Sequence, residues 1–370
     1  MEHQETAQSQ QATELKAFNK QELRDFCQQQ DLKRFRSDQL FQWLYQKGVS
    51  GFDEMTNLSK ELRNQLSEIA TISRIQPASQ QSSSDGTIKF LFRLHDGHQI
   101  ESVLIPDFDE QGHADRLTVC VSSQVGCAFG CSFCATGKMG WHRNLLAGEI
   151  VDQAQYINEV AEQTYGKGIT NIVYMGMGEP LHNYKAVVNS ANIISDELSI
   201  GLSPKRITIS TVGLPHRIKQ LGDTRQPFNL AISLHAANDD KRDQIMPIND
   251  TSNLSKLRES VEHYYRAMMK PLTYEYLLFD EFNDGPEDAR ELAAIARWVP
   301  SKINIIMYND VAGVALKRAR EERLDRFMKA LVDEGVRATV RRSRGDDIDA
   351  GCGQLAVQEN TEKGKSIGSI

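Results

Sequence analysis

Apolar positions change their spacing along this chain. In the first seventy residues they recur at three- and four-residue steps: Leu23, Phe26 and Cys27 share one face, as do Leu40, Phe41, Leu44 and Tyr45, the pattern of amphipathic helices. Start and stop signals agree with it. Asn19 followed by Glu22 makes a capping box, a second helix over 37–47 ends at Gly48, and Asn57 or Ser59 opens a third. The stretch 76–85 is rich in Ser and Gln and reads as a linker or surface loop. Beyond it, 87–94 and 99–105 flank His-Asp-Gly-His and predict a β-hairpin. From 117 onward short apolar runs alternate with amphipathic segments, with strands expected at 117–122, 171–175, 206–211, 228–234, 273–279 and 302–307 and an edge strand at 337–341. A repeated βα pattern predicts an α/β fold whose parallel sheet curls as a barrel. About six units are too few to close an eight-stranded barrel, so an open, partial (β/α)6 barrel is expected.

The expected division is a helical accessory domain over 1–75, a linker and hairpin over 76–116, the barrel over 117–345, and a C-terminal loop and tail over 346–370. A chain of 370 residues suits a large catalytic core with a smaller accessory unit. Residues 1–11 are polar with no apolar h-region, and no later run is long enough for a membrane span, so a cytoplasmic protein without membrane contact is expected. Six cysteines, three of them clustered, fit a reducing compartment and a metal site better than a disulfide framework. The formal charge of −7 makes the whole molecule a poor binder of polyanions, but its basic residues are unevenly placed. Lys33, Arg34 and Arg36 form one cluster; those from Lys317 to Lys329 read equally well as a solvated helix face. Arg341, Arg342 and Arg344 lie close to Cys352 and ask for a role.

The chemistry concentrates at expected strand ends, where α/β folds place their sites. After the first strand comes Cys127-Ala-Phe-Gly-Cys131-Ser-Phe-Cys134. Three thiolates on one loop can ligate three irons of a cubane cluster and leave the fourth open for a substrate. A structural zinc knuckle is the plainer alternative, but no CxxC or HxxxH pair lies elsewhere to complete a tetrahedral site. Cys27, on an apolar helical face, reads as a small core residue. After the second strand, Gly176-Met-Gly178-Glu179-Pro180 offers backbone that a ligand can approach closely and a carboxylate that can accept from an ammonium group; a tight turn is the plainer reading. Later strand ends supply Ser210, then Ser233, Leu234 and His235, then Asn309, each also able simply to cap a helix or pack. Cys352 stands between Gly351 and Gly353 near arginines whose charge favours a thiolate. Cys120, ending the first strand, is a core cysteine unless it opposes Cys352.

The CxxxCxxC run resembles the signature of radical S-adenosylmethionine (SAM) enzymes. With Met175-Gly-Met-Gly-Glu-Pro, Ala231-Ile-Ser-Leu-His-Ala, Arg344-Gly-Asp-Asp-Ile-Asp-Ala-Gly-Cys352-Gly-Gln-Leu, and N-terminal Phe41-Gln-Trp-Leu-Tyr and Gly51-Phe-Asp-Glu-Met-Thr-Asn-Leu-Ser, the chain resembles the RlmN and Cfr group of RNA methyltransferases over nearly its whole length. The resemblance implies a radical-SAM partial barrel. It implies a [4Fe–4S] cluster on Cys127, Cys131 and Cys134, and SAM held by Gly178, Glu179, Ser210, Ser233, Leu234, His235 and Asn309. The implied reaction methylates C2 of an adenosine in 23S rRNA at the peptidyl-transferase centre and of the adenosine 3′ to the anticodon in some tRNAs. In it one SAM methylates Cys352, a second is cleaved to a radical that removes hydrogen from that methyl group, and the carbon radical adds to adenine. Glu101 is the implied proton acceptor, and Cys120 the partner of a transient disulfide with Cys352. An electron donor such as flavodoxin and a monomeric state complete the picture. A Cfr-type C8 methyltransferase and an iron–sulfur RNA-binding protein without turnover are the competing readings. The chain departs from the family in Met307-Tyr-Asn309-Asp, where prolines are usual, and in a short tail that is not strongly basic.

Overall fold

The computed structural model describes residues 12–357; the polar stretch 1–11 and the end of the tail lie outside the described residues. Among the described residues, seven parallel strands follow one another across a sheet in chain order: Ala114–Cys120, Asn171–Tyr174, Ile207–Thr211, Asn229–Ser233, Leu272–Leu278, Ser301–Met307 and Ala338–Arg341. A sequential order needs every crossover to return on the same side, so right-handed connections stack all the helices on one face. That is a barrel wall rather than a two-faced sheet. Ala338–Arg341 ends the sheet as the expected edge strand, and the barrel stays open.

Side chains divide by strand parity. Leu230, Ile232, Tyr274, Tyr276, Ile303 and Ile305 are at most 1% exposed and belong to the main apolar core. The alternate positions Ser233, Glu275 and Leu277 line an interior cavity instead. Helices Ala147–Tyr165, Tyr184–Ser195, Pro215–Asp223, Leu254–Met268, Pro286–Ala296 and Glu321–Asp333 occupy the crossovers. The basic residues of the last are partly committed at its start: Arg320 reaches Glu281 at 3.0 Å, and Arg323 pairs with Asp284.

Beyond the first parallel strand the sheet continues antiparallel through Gln99–Phe108, Ile88–Arg93 and Gln76–Ser82. The hairpin is as expected, but the reading of 76–85 as linker or loop is corrected: seven of its residues form the outermost strand. One edge of that strand has no neighbour, and its Gln and Ser side chains face water, so its polarity protects an edge rather than marking a loop.

The first seventy residues are helical as their periodicity demands, with Lys20–Gln29, Phe35–Tyr45 and Lys60–Ile69; the Asn19–Glu22 capping box is formed, Ser59 caps the third helix, and Cys27 is fully buried. Two short segments, Thr13–Glu14 and Ala70–Thr71, pair in parallel and tie the unit's ends together. It docks on helix Ala147–Tyr165 through a buried ion pair of Lys16 with Asp152. Gly148 permits the approach, since a Cβ there would meet the Lys16 carbonyl oxygen at 2.4 Å.

Candidate active site

The first parallel strand ends at Cys120, and the chain turns through Ser122 and Ser123 into the cysteine loop. Ser122 Oγ donates to the Glu101 carbonyl and accepts from Met177 N–H at 2.8 Å, so the loop and the glycine-rich turn after the second strand are built on one hydroxyl. The loop is held along its length: Cys127 N–H bonds the Gly140 carbonyl at 2.9 Å, Ser132 N–H that of Ile245 at 3.0 Å, and Cys134 N–H that of Cys131 at 3.1 Å. Gly126 adopts φ +73°, and any Cβ would lie 1.8 Å from the Gly140 oxygen.

Cys127, Cys131 and Cys134 line one solvent-open cavity of about 900 Å³, together with Gly178, Glu179, Ser210, Ser233, His235 and Cys352. Glu179 is buried; one carboxylate oxygen accepts from Leu181 N–H and the other from Val212 N–H, both at 2.9 Å. Burial pushes its carboxyl up to about 7 despite those bonds. The residue therefore caps the turn and also borders the cavity. Ser210 and Ser233 touch through their hydroxyls at 3.1 Å. His235, at φ +55°, accepts from Leu277 N–H on Nδ1 at 3.1 Å, which puts the ring proton on Nε2; burial and then Arg242 push its pKa down to about 3, so it is neutral. The ring also packs on Phe133 at 5.0 Å, so the packing role expected of a lone histidine is real as well.

The remaining candidates stand apart from this cavity. Leu234 is fully buried behind it, its N–H spent on the Glu275 carbonyl and its own carbonyl on Arg242. Asn309 is 2% exposed with neither amide atom hydrogen-bonded, pressed against Gly351, where a Cβ would meet Asn309 Nδ2 at 1.9 Å. Glu101 is buried rather than an exposed strand residue, accepting from Ala356 N–H at 2.9 Å with Lys89 Nζ at 3.6 Å. Burial raises its carboxyl, opposed by Lys89. Cys120 lines a second, smaller cavity with Met175, Arg341 and Cys352. Its thiol is pushed up to about 12, by burial first and then by Cys352, and all six cysteines are free thiols. Arg342 is exposed, and Arg344 lies 3.6 Å from Asp107. All three arginines border the smaller cavity, and Arg341 is the one whose charge bears on both Cys352 and Cys120.

Two profiles of known families match the chain: the ribosomal RNA large subunit methyltransferase N-terminal domain over residues 13–72, and the Radical SAM superfamily over 121–293. A probable dual-specificity RNA methyltransferase RlmN of Salinibacter ruber is 52% identical over 93% of this chain and 94% of its own length. The chain belongs to the RlmN family. The dual-specificity RNA methyltransferase RlmN of Nautilia profundicola is 40% identical over 88% of this chain and 93% of its own length. A radical SAM methyltransferase from Sphaerobacter thermophilus superposes with TM-score 0.84 at 40% identity, covering 93% of this chain and 99% of that one. The protein is thus an RNA methyltransferase with the radical-SAM fold, and its cofactors are a [4Fe–4S] cluster and SAM.

The residues present fit those cofactors. Burial raises the three loop thiols, Cys127 to about 12, with neighbouring thiols adding to it at each, and a bound cationic metal reverses this by taking them as thiolates. Cys127, Cys131 and Cys134 come from one short loop and line one cavity, a donor set that suits a cluster in which each thiolate binds a different iron. Arg242, missed by sequence reading, is fully buried with no ion-pair partner among the described residues; its charge bears on Cys131 and answers the negative charge of a thiolate-bound cluster. Glu275 was missed too. It lines the main cavity at 4% exposure with Oε2 unpartnered, while Oε1 accepts from Asn304 at 2.9 Å. Both lie inside charged or strand-like runs with no motif of their own, so only the fold reveals them.

Proposed function

We propose that the enzyme methylates C2 of an adenosine in 23S rRNA, and of the adenosine 3′ to the anticodon in some tRNAs, by way of a methylated Cys352. One observation carries the reading: Cys352 borders both the cavity of the three loop cysteines and the smaller one of Cys120 and Arg341. A residue so placed can receive a group on one side and deliver it on the other. Adenine C2 is not a nucleophile, so a methyl group cannot reach it by simple displacement. When bound, the cluster and SAM supply the one-electron chemistry that this carbon requires.

The protein's own residues then divide the work. Gly178, Glu179, Ser210, Ser233 and His235 line the cavity that holds SAM, Leu234 backs its wall, and Asn309, whose amide atoms have no partner, joins them from beside Gly351, while Cys127, Cys131 and Cys134 hold the cluster. Cys352, as thiolate, would take the methyl group of one SAM by attack at the methyl carbon, its S–C bond forming as the sulfonium S–C bond breaks and S-adenosylhomocysteine leaves. Glu101, its carboxyl raised by burial, is matched to accepting the proton lost from the adenine carbon. Cys120 as thiolate would attack the Cys352 sulfur, forming the Cys120–Cys352 disulfide as the S–CH2 bond to the adenine breaks; the electron pair left on that carbon takes up a proton to give the methyl group, and a reducing cytoplasm resets the disulfide. Residues 1–75 act as the RNA-binding accessory domain, 76–116 extend the sheet of the catalytic barrel of 117–345, and 346–370 form the cysteine loop and tail. The protein works as a monomer with an electron donor such as flavodoxin. RNA deuterated at adenine C2 tests the assignment: turnover should lose that label and keep one at C8. Loss of the C8 label alone would move the enzyme to the Cfr-type reaction.

A further inference from the structure

Outside the two cavities, the surface beside the cysteine loop carries rings and cations in alternation. Trp141 is 47% exposed, at the start of the short strand Trp141–Asn144 that pairs with the run into the loop. Its indole lies edge-on to His182 at 6.0 Å, and His182 packs on Phe129 of the loop at 5.6 Å. His182 also borders an open cleft of about 840 Å³, whose lining includes Tyr184, Lys185 and Arg217. The Arg217 guanidinium lies over the Tyr184 ring at 5.4 Å and donates to Gln220 at 2.7 Å; it pairs with no carboxylate among the described residues. No Asp or Glu lines this cleft, although the chain has 50 acidic against 43 basic residues. At its border Glu22 of the accessory domain lies 2.8 Å from Lys185 and accepts from Asn189, which also lines the cleft.

We propose that the surface from Trp141 across His182 to Tyr184, Lys185 and Arg217 is a groove for single-stranded RNA, holding nucleotides that flank the target adenosine. This rests on the RNA-methyltransferase reading and adds where the strand runs. Single strands are bound by stacking bases on exposed rings and by cations that track phosphates, and a carboxylate-free cleft in an acidic protein is complementary to that backbone. The groove adjoins the chemistry through one side chain. Gln124 Nε2 meets His182 Nδ1 at 2.9 Å, and Gln124 Oε1 accepts from Glu179 N–H at 2.8 Å. A nucleotide lying on His182 is therefore one glutamine away from the turn that borders the main cavity.

The test uses the full chain and a fluorescein-labelled stem-loop RNA with an unpaired adenosine in its loop. Trp141→Ala should weaken binding about tenfold, within the range for loss of one stacked base. Trp141→Phe, which keeps a ring, should restore most of the affinity, separating stacking from misfolding. Arg217→Gln should weaken binding and lower the slope of log affinity against log salt by about one. Lys329→Gln, on an exposed helix face elsewhere, should change neither. With Trp43 and Trp298 replaced by Phe, the fluorescence of Trp141 should be quenched as RNA is added. Unaltered affinity and salt slope in both groove variants, with the unmodified chain binding normally, would overturn the groove. Unaltered RNA affinity together with lost electron uptake from a reduced flavoprotein would overturn it in favour of a docking face for the donor. If the unmodified chain bound no RNA, the parent reading would fall and the groove with it.

Discussion

Two loops bring cysteines to the same cavity and differ in how they are held. The loop of Cys127, Cys131 and Cys134 is braced by bonds to Gly140 and Ile245 and by a glycine that tolerates no side chain. The segment of Cys352 has no helix beyond the short turn Asp346–Ile348, and Gly345, Asp349 and Gly353 are all left-handed. Its anchors come from far away in sequence: Ala135 N–H to the Gly353 carbonyl at 2.7 Å, Thr136 Oγ1 to that of Leu355 at 2.5 Å, Ala356 N–H to Glu101 at 2.9 Å. Under the proposed function the contrast matches two tasks. Thiols that hold a cofactor gain from a fixed geometry, whereas a thiol that carries a group between two cavities needs a support that other elements position.

The largest test sets one loop against the other. Cys131→Ala should abolish iron binding and all methylation, because the remaining thiols cannot retain the cluster. Cys352→Ala should abolish RNA methylation equally but keep its iron and its SAM affinity. Iron analysis after anaerobic reconstitution distinguishes them, and loss of iron from the Cys352 variant would erase the division of labour.

Glu101→Gln comes next, with a fall of roughly 10²–10⁴-fold expected for a lost proton acceptor. The sign of its pH dependence follows from burial. The folded carboxyl titrates above the usual range, so the ionised, accepting form is gained as pH rises through that raised value, and methylation should climb there and level off. By the same shift the fold favours the protonated form: this contribution to stability is full below the unfolded pKa and is lost as pH rises through the folded one. The Gln variant should lose both slopes. A rising limb that survives in it would assign the proton to another group.

Gly351→Ala should cost about a hundredfold in methylation, the scale of a misplacement near 1 Å, since the new methyl group must displace Asn309. Iron content should be unchanged. A variant with normal turnover would show that the Cys352 segment shifts freely, and its anchors would lose their meaning.

How much of this was legible beforehand depends on sequence distance. The strands of the barrel, the capping box at Asn19 and the cysteine loop are local patterns, and the structure places them within a few residues of their expected ends. The edge strand Gln76–Ser82 was hidden because its partner, not its composition, makes it a strand. Burial of Glu101 rests on a segment some 255 residues later, and that of Lys16 on Asp152; neither is written in the neighbouring residues. Glu275 and Arg242 lack a motif, so their unpartnered polar atoms emerge only once the barrel encloses them.

The smallest effect is the most pointed. Thr136 sits in the helix directly after Cys134, and its hydroxyl bonds the Leu355 carbonyl, so one side chain of the rigid loop holds the other. Thr136→Val keeps the shape and removes the donor, leaving a carbonyl without its partner at a local cost of about 1–3 kcal/mol. That cost falls on the segment rather than on the whole fold, because the main core does not depend on it. Amide exchange should report the difference: protection at Ala356, whose N–H bonds Glu101, should drop by about one to two powers of ten, while that at Cys127, bonded to Gly140, should stay as it was. Methylation should fall only severalfold, since the other anchors remain. Lost protection at Cys127 with none lost at Ala356 would invert the comparison and make the cysteine-rich loop the one that leans on its neighbour.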